Sequence, residues 1–333
     1  MANLPNNNFT TNTLSLHAGY EYDRQRTLSV PIYQSTAYSF ENAEQAAARF
    51  SLEELGNIYS RLTNPTVDML AKRIAAVEGG AFGVATASGS SAVFYSLVNL
   101  AQNGDNIAYS NKIYGGSQTL LVHVLKRFGI EGRVFDIDNL SSLEKIIDNK
   151  TKAIFFESLS NPQIAIADVE TITNIAKKHK IVTICDNTVA TPILFRPFDF
   201  GVDVSVHSLT KYINGHGSGL GGAVIEREGL NELIKDNSRY PAFNTPDESY
   251  HGLIYANLPL PIFSIRILIE WLRNIGASLS PQNAWIHFQG LETLELRIQK
   301  HSDSALEIAK FLESHKKVKE VNYPGLTSSP YHN

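Results

Sequence analysis

The sequence predicts an α/β fold built on a mostly parallel, seven-stranded sheet with helices on both faces. From residue 65 onward, short runs rich in β-branched and aromatic residues alternate with amphipathic segments, a pattern typical of parallel strands joined by crossover helices. The chain has 333 residues, of which 43% are hydrophobic and 19% charged, so it is long enough to bury the core of such a sheet and to form about two domains.

Seven short apolar runs are predicted to be the strands. They are residues 82–86, 106–109, 133–135, 153–156, 181–184, 203–206 and 222–225. Between two of them, residues 168–179 carry Val169, Ile172 and Ile175 at helical spacing, followed by two lysines. Apolar residues at this spacing form one face of a helix, and the lysines favour its C-terminal end. Segments of this kind are predicted to be the crossover helices.

The chain divides into three predicted parts. Residues 1–61 have a polar, asparagine-rich start and one short alanine-rich helix near 41–50, so they are predicted to form an N-terminal arm. Residues 62–255 carry all seven predicted strands and form the α/β domain. Residues 256–333 begin a smaller C-terminal α+β domain.

The C-terminal domain is predicted to be led by helices. Apolar periodicity predicts helices at 261–275 and 291–312, followed by a strand at 318–323. A helix pair and one strand bury too little apolar surface to be stable alone. We therefore expect this domain to be incomplete in the chain.

Charge and cysteine content exclude several classes of protein. The formal net charge is −4, and Lys and Arg are scattered, which argues against binding to nucleic acid or to a membrane surface. The single cysteine, Cys185, excludes an intrachain disulfide framework, and the first residues lack a basic and apolar leader, so we expect a cytoplasmic protein. The histidines are too dispersed to indicate a metal site. Small-molecule chemistry is the expected function.

In open α/β sheets, ligands bind outside the carboxyl ends of the strands, so polar residues there are the first candidates. The turn Ser88-Gly89-Ser90 leads from the strand at 82–86 into a helix predicted at 91–100. Backbone N–H groups at a helix N-terminus, with hydroxyls nearby, form a phosphate site. Taken alone, however, this turn is more typical of an ordinary helix cap.

Two further strand ends carry polar residues. Asp186 follows the strand at 181–184, and Thr188 comes two residues later. A carboxylate in this place can pair with a protonated ring nitrogen, but an Asx-turn is an equally good interpretation. Asn161 precedes Pro162 beyond the strand at 153–156, which by itself predicts only a turn.

The fourth strand end carries a lysine. The strand at 203–206 is followed by Ser208, Thr210 and Lys211, and then by the glycine-rich run 215–222. Lysine is the nucleophile for aldehyde cofactors because its amine titrates near neutrality once it is desolvated, and the two hydroxyls can donate to a phosphate. A lysine before a flexible loop is otherwise a common surface feature. The glycines also suggest dinucleotide binding, but a Rossmann glycine turn opens a helix whereas these lead into a strand.

Together and in this order, these segments resemble the Cys/Met-metabolism branch of fold-type I pyridoxal-phosphate enzymes, over Thr13 to Tyr323. The resemblance implies the fold of that family and a pyridoxal 5'-phosphate cofactor carried by Lys211 as a Schiff base. It places Asp186 against the pyridinium nitrogen and Thr188 near the ring. The other implied contacts are Ser88, Gly89, Ser90, Ser208 and Thr210 at the phosphate, Tyr114 stacked on the ring, and Asn161 at the cofactor oxygen and the substrate carboxylate.

The resemblance also implies assembly into an oligomer. Tyr59 and Arg61 match a Tyr-Ser-Arg segment that crosses a dimer interface and binds the cofactor phosphate of the neighbouring subunit. An obligate homo-oligomer follows, with a dimer of dimers implied. Tyr59 and Tyr114 are both candidates to assist proton transfer by Lys211. The arginine that binds the substrate α-carboxylate in this family falls beyond the last residue of the chain.

Within the family, three segments are most similar to O-acetylhomoserine sulfhydrylases. They are residues 13–20, 56–59 and 246–252. These enzymes replace acetate by sulfide at the γ-carbon to form homocysteine in methionine biosynthesis. A γ- or β-elimination lyase of the cystathionine or methionine lyase type, and a cystathionine γ-synthase, are the alternatives. Gly116 stands where methionine γ-lyases usually carry a cysteine, which disfavours the lyase, and Ser90-Ser91 depart from the family's usual larger or apolar residue followed by alanine.

Overall fold

The computed structural model describes residues 9–332 of the chain. At its centre lie the seven predicted strands, close to their predicted bounds. They are β1 Phe82–Thr86, β2 Asn106–Ser110, β3 Glu131–Phe135, β4 Thr151–Glu157, β5 Val182–Asp186, β6 Val204–Ser208 and β7 Gly222–Glu226. They form one sheet in the order β1-β7-β6-β5-β4-β2-β3, which confirms the predicted seven-stranded sheet.

Strand β7 is the exception to the parallel arrangement. It pairs antiparallel with β1 and with β6, whereas the pairs β5–β6, β4–β5, β2–β4 and β2–β3 are parallel. Strand β1 therefore points the same way as β2 to β6. The last residues of these six strands lie at one side of the sheet, which we call the carboxyl edge.

Helices flank the sheet. The α-helices are α1 Thr11–His17, α2 Ala43–Phe50, α3 Pro65–Glu78, α4 Gly89–Val98, α5 Gly115–Thr119, α6 Ser141–Ile146, α7 Val169–His179, α8 Thr191–Leu194, α9 Leu230–Ile234, α10 Pro241–Asn244, α11 Ile262–Arg266, α12 Arg273–Ile275, α13 Pro281–Glu292 and α14 Leu294–Glu313. Leu120–Val124 and Ile267–Leu272 are π-helical, and Leu125–Phe128, Pro197–Phe200, Glu248–Tyr250 and Tyr255–Asn257 are 3₁₀-helical. Within residues 9–332, the helices lack either the length or the apolar character needed to cross a bilayer.

Both faces of the sheet are buried. In β4, Phe155 packs into a core formed with α4 and α11, whereas its neighbours Ile154 and Phe156 pack into a core formed with α6 and α7. The second face continues past α3 and α13, where Leu70 and Phe288 belong to one cluster. Successive strand residues point to opposite faces, so a strand buried on both sides is apolar at every position. This explains the uninterrupted apolar runs from which the strands were predicted.

Helix α3 joins the arm to the sheet. Asn64 caps its first turn, Pro65 occupies the first helical position, and Gly79 ends it with a φ of 84°, in agreement with the usual preferences at helix termini. The Asn64 amide nitrogen also donates to the carbonyl of Tyr33, 2.8 Å away, and to the hydroxyl of Ser60, 3.0 Å away. The cap of α3 thus fixes the Tyr-Ser-Arg segment of the arm.

The predicted helix at 261–275 is confirmed, with a π-helical turn between α11 and α12. The predicted helix at 291–312 begins later, at Leu294. The preceding residues belong to α13, which was not predicted although Ser280 and Pro281 at its start are typical of a helix N-terminus.

The predicted strand at 318–323 is wrong. Strands are stabilised by hydrogen bonds to a neighbouring strand, and in the part of the chain that the structure describes no strand pairs with these residues. The first eight residues of the predicted arm lie outside the described residues.

Candidate active site

The loops that follow β1, β4, β5 and β6 meet at the carboxyl edge and carry most of the predicted site residues. Glu157, Asp186 and Ser208 are the last residues of their strands. Glu157 is directly opposite Asp186 in the ladder, and Asp186 opposite Val206. The sheet itself therefore brings the second, third and fourth predicted strand ends side by side.

The Ser88-Gly89-Ser90 turn lies against the end of β6. Ser88 caps α4, because its hydroxyl accepts a hydrogen bond from the N–H of Ser91, and the Ser91 hydroxyl accepts one from the N–H of Ser88. A Cβ atom built on Gly89 would lie 2.5 Å from the Cβ of Ser208, so only glycine permits this approach. The predicted phosphate-binding turn and Ser208 are thus in contact.

Asp186 is held at the end of β5 by Thr188. The Thr188 N–H donates to Oδ1 of Asp186 at 3.0 Å, and the Thr188 hydroxyl oxygen accepts a hydrogen bond from the N–H of Ser208 at 2.8 Å. Burial raises the pKa of Asp186, while Thr188 and the nearby His207 act in the opposite direction. A carboxylate that is destabilised in this way favours a cationic partner.

Lys211 stands in a turn directly after β6. Its N–H donates to the carbonyl of Ser208 at 3.2 Å, its own carbonyl accepts from Gly215 at 2.8 Å, and its side chain is exposed. The Thr210 hydroxyl bonds both the N–H and the carbonyl of Gly221, which joins this turn to the start of β7. The lysine amine is therefore free to move while its backbone is fixed.

Arg297 of α14 binds the backbone next to the same turn. Its guanidinium donates to the carbonyls of Tyr212, Ile213 and Gly290. This connects the C-terminal helices to the segment that carries Lys211. Arg297 was not predicted, since two of these carbonyls lie 85 and 84 residues earlier along the chain.

Tyr114 and Asn161 are joined by a residue that was not predicted. Glu157 accepts hydrogen bonds from the N–H of Tyr114 at 2.6 Å and from the N–H of Asn161 at 2.9 Å. The Tyr114 ring leans over Gly116, where a Cβ would lie 2.4 Å from the ring carbon Cε1. A cleft of about 380 Å³ between this loop and α4 is lined by Ser90 and Gly116 among others. The residues that follow Tyr114 thus share a cleft with Ser90.

A buried polar network lies beneath Asp186. Glu78 and His207 form an ion pair of 3.0 Å in which neither side chain is exposed, and Glu78 also accepts hydrogen bonds from Asn187 and Ser205. Burial lowers the pKa of His207, but the Glu78 carboxylate, together with the charge of Asp186, raises it overall. The network thus favours the protonated form of His207 near Asp186.

Tyr59 and Arg61 lie together in the arm. The Arg61 guanidinium is 5.3 Å from the centroid of the Tyr59 ring, and Arg61 borders a cavity of about 1430 Å³ between the arm, β1 and the helices after Pro261. Among residues 9–332, the lining of that cavity includes neither Lys211 nor Asp186. The Arg61 side chain also lies beside Gly276.

The sequence profile described as Cys/Met metabolism PLP-dependent enzyme matches residues 12–333. The chain belongs to this family. The resemblance seen in the sequence is thereby confirmed, and the fold-type I architecture agrees with solved structures of related proteins.

Three relatives illustrate the similarity. An O-acetyl-L-homoserine sulfhydrylase of Corynebacterium glutamicum is 44% identical, over 96% of this chain and 74% of the relative. A homocysteine/cysteine synthase of Saccharomyces cerevisiae is 40% identical, over 96% of this chain and 73% of its own. A Campylobacter jejuni crystal structure, named for O-acetylhomoserine (thiol)-lyase and containing a pyridoxyl-lysine monophosphate, has a TM-score of 0.97 and 68% identity, and covers 98% of this chain and 80% of the other.

The residues at the carboxyl edge fit the cofactor of this family. Gly89 lets the N-terminus of α4 approach the Ser208 hydroxyl closely, and a helix N-terminus beside a hydroxyl suits a phosphate. Asp186 presents a carboxylate that a ring cation would stabilise, and the exposed Lys211 amine follows the same edge. An anion site, a carboxylate and an amine are the three groups that pyridoxal phosphate requires.

Proposed function

We propose that this chain is an O-acetylhomoserine sulfhydrylase, which replaces the acetate on the γ-carbon of O-acetylhomoserine by sulfide and releases homocysteine. The observation that carries this proposal is the identity of 40–44% to relatives named for this reaction, over 96% of the chain. The elimination lyases and cystathionine γ-synthase are not favoured by these relatives. The arrangement of Lys211 and Asp186 at one sheet edge supports a pyridoxal-phosphate enzyme.

The site residues take the following roles in this proposal. Lys211 binds the cofactor covalently through Nζ, Asp186 faces the ring nitrogen with Thr188 beside it, and Tyr114 stacks on the ring. The Ser88-Gly89-Ser90 turn, Ser208 and Thr210 bind the phosphate, and Asn161 binds the cofactor oxygen and the substrate carboxylate. Residues 62–255 form the cofactor domain, residues 1–61 the arm and residues 256–333 a second, smaller domain.

The chemistry divides between the cofactor and the chain. When bound, the pyridoxal ring withdraws electrons from the amino-acid substrate. Lys211, once released, removes the α-proton and then moves a proton at the β-carbon. Asp186 holds the ring nitrogen in its protonated form, and Tyr114 or Tyr59 assists Lys211. Acetate departs with its bonding electron pair, and sulfide forms the new carbon–sulfur bond at the γ-carbon.

The activity is tested with purified protein, pyridoxal phosphate, O-acetylhomoserine and sulfide. We expect homocysteine to form faster than ketoacid and ammonia, because replacement is the proposed outcome and elimination the competing one. Homocysteine is measured by chromatography and ketoacid by a coupled dehydrogenase. Ketoacid as the main product indicates a lyase, and reaction with cysteine in preference to sulfide indicates a cystathionine synthase.

A second acetylated substrate can be measured in the same assay. Two yeast relatives are named homocysteine/cysteine synthase, which indicates that some members also act on a shorter acetylated substrate. O-acetylserine with sulfide would then yield cysteine. The ratio of kcat/KM for the two substrates decides whether the chain shares this breadth.

We further propose that the active site is completed by a second copy of the chain. This proposal is supported by the match of Tyr59 and Arg61 to the family's Tyr-Ser-Arg segment, and by the cavity that Arg61 lines, whose lining among residues 9–332 includes neither Lys211 nor Asp186. Arg61 of one subunit would then bind the cofactor phosphate of the other, in a dimer or a dimer of dimers.

Mixing two inactive variants tests this arrangement. We expect Arg61→Ala and Lys211→Ala each to be inactive or nearly so, and their co-expressed mixture to regain about a quarter of wild-type activity, because half of randomly formed dimers contain one intact site of two. Separately tagged chains allow the mixed dimer to be isolated. If the site is formed within one chain, the mixed dimer stays as inactive as its parents.

A further inference from the structure

Glu157 connects the two loops that carry the proposed ring-stacking and substrate-binding residues. It is the last residue of β4 and is only 4% exposed. Its Oε1 accepts the N–H of Tyr114, and its Oε2 accepts the N–H of Asn161. One carboxylate thus fixes the backbone of both loops at the edge of the sheet.

The functional side chains on these two loops are themselves exposed. The Tyr114 side chain is 49% exposed and makes no capping bond to α5, which it precedes. Asn161 is exposed as well. Side chains that are not packed take their position from the backbone, so the hydrogen bonds to Glu157 decide where they point.

The position of Glu157 is unfavourable for stability. It is directly opposite Asp186 across the β4–β5 ladder, and two carboxylates this close repel each other. Burial, and then the charge of Asp186, raise the pKa of Glu157 well above its usual range, although the N–H groups of Tyr114 and Asn161 oppose the shift. If the role of this position were only structural, a neutral side chain would stabilise the fold more than Glu157 does.

We propose that Glu157 is a positioning residue, whose carboxylate places Tyr114 against the cofactor ring and Asn161 against the cofactor oxygen and substrate. The inference rests on the proposed function for the roles of these two residues. It adds a residue that contacts neither cofactor nor substrate but sets the geometry of two residues that do.

Three variants separate positioning from a structural role. Glu157→Gln keeps the size but turns one acceptor into an amide donor, so one of the two N–H groups loses its partner. Glu157→Asp keeps the charge but is one methylene shorter and cannot reach both loops. Glu226→Gln is the control, because Glu226 is also a buried acid at the end of a strand, β7, and is 2% exposed. Its carboxylate accepts hydrogen bonds from both the N–H and the hydroxyl of Ser264 in α11.

We expect Glu157→Gln without cofactor to unfold at the same temperature as the wild type or higher, because an amide cannot ionise and so avoids repulsion with Asp186. With cofactor, we expect about tenfold weaker binding in an absorbance titration, since a lost hydrogen bond has about this effect. The visible circular dichroism of the bound cofactor falls as the ring loses its fixed stacking, and kcat falls while KM rises. Glu157→Asp shows the same loss despite its charge.

The control separates stability from positioning. Glu226→Gln also replaces a buried acid, whose pKa burial raises, by an amide, so we expect it to unfold at the wild-type temperature or higher, while its bound cofactor keeps wild-type dichroism and kcat/KM. Wild-type affinity, dichroism and kcat/KM in Glu157→Gln overturn the inference, and so does an equal loss of dichroism in Glu226→Gln. Titration and dichroism need no sulfide, so they test Glu157 even where the homocysteine assay contradicts the proposed reaction.

Discussion

Lys211→Ala is expected to lose all measurable turnover and the visible absorbance of the bound cofactor. Lys211 is proposed both to bind the cofactor covalently and to move the substrate protons, and proton transfer by a placed side chain alone contributes about 10²–10⁴-fold to a rate. The measurements are the visible spectrum after incubation with pyridoxal phosphate and dialysis to remove the free cofactor, and mass spectrometry after borohydride reduction. The wild type should gain the mass of the pyridoxyl group on the peptide that contains Lys211.

A surface lysine provides the control for this variant. Lys178 lies on α7 and pairs with Glu144, and its side chain is 66% exposed. Lys178→Ala is expected to retain colour, the reduced adduct and turnover. A Lys211→Ala protein that still forms a reducible coloured adduct would show that another amine carries the cofactor.

The sheet was predictable from sequence because its strands are buried on both faces. Residues such as Ile154, Phe155 and Phe156 are all apolar for this reason, and no helical spacing competes with the run. The antiparallel direction of β7 was not predicted, since nothing in an apolar run states its direction. The C-terminal strand failed because a β-like run forms a strand only where a neighbour pairs with it.

The candidate site was predictable where chemistry and strand ends coincide. Lys211 and Asp186 are both reactive residue types placed directly after strands, and the family resemblance assigned their roles. Glu157 is likewise a reactive residue type at a strand end, and this position is the signal from which it could have been predicted. Its partners, however, are a loop 43 residues earlier and one only 4 residues later, and backbone hydrogen bonds of this kind leave no trace in residue types.

The buried polar network beneath the site could not be predicted from the sequence either. The Glu78–His207 pair joins the end of α3 to β6 across a long stretch of sequence. In the sequence alone, Glu78 is an ordinary helix residue and His207 an ordinary strand residue. Their contact is visible only in the folded structure. Their charges matter because they sit next to Asp186, whose ionised form a nearby cation stabilises.

Asp186→Asn is expected to retain bound cofactor while kcat falls on the order of 100-fold, since breaking a buried charge pair costs about 3 kcal/mol or more. The phosphate contacts and Lys211 are untouched, so binding should survive. An amide cannot hold the ring nitrogen protonated, and an uncharged ring withdraws electrons less strongly. Steady-state kinetics give kcat, and ¹⁵N NMR of ring-labelled cofactor reports the protonation of the ring nitrogen directly.

A second buried aspartate separates this effect from a loss of stability. Asp203 precedes β6 at the opposite side of the sheet, is 5% exposed, and binds Arg227 and Thr183. Asp203→Asn should unfold at a lower temperature, because it leaves Arg227 without its charge partner, yet keep kcat and a protonated ring. Asp186→Asn should show the reverse, because burial raises the pKa of Asp186 and the neutral amide relieves that strain in the cofactor-free protein. Near-normal kcat together with a protonated ring nitrogen in Asp186→Asn would place the partner of that nitrogen elsewhere, and Glu157, directly opposite on β4, would be the next residue to test.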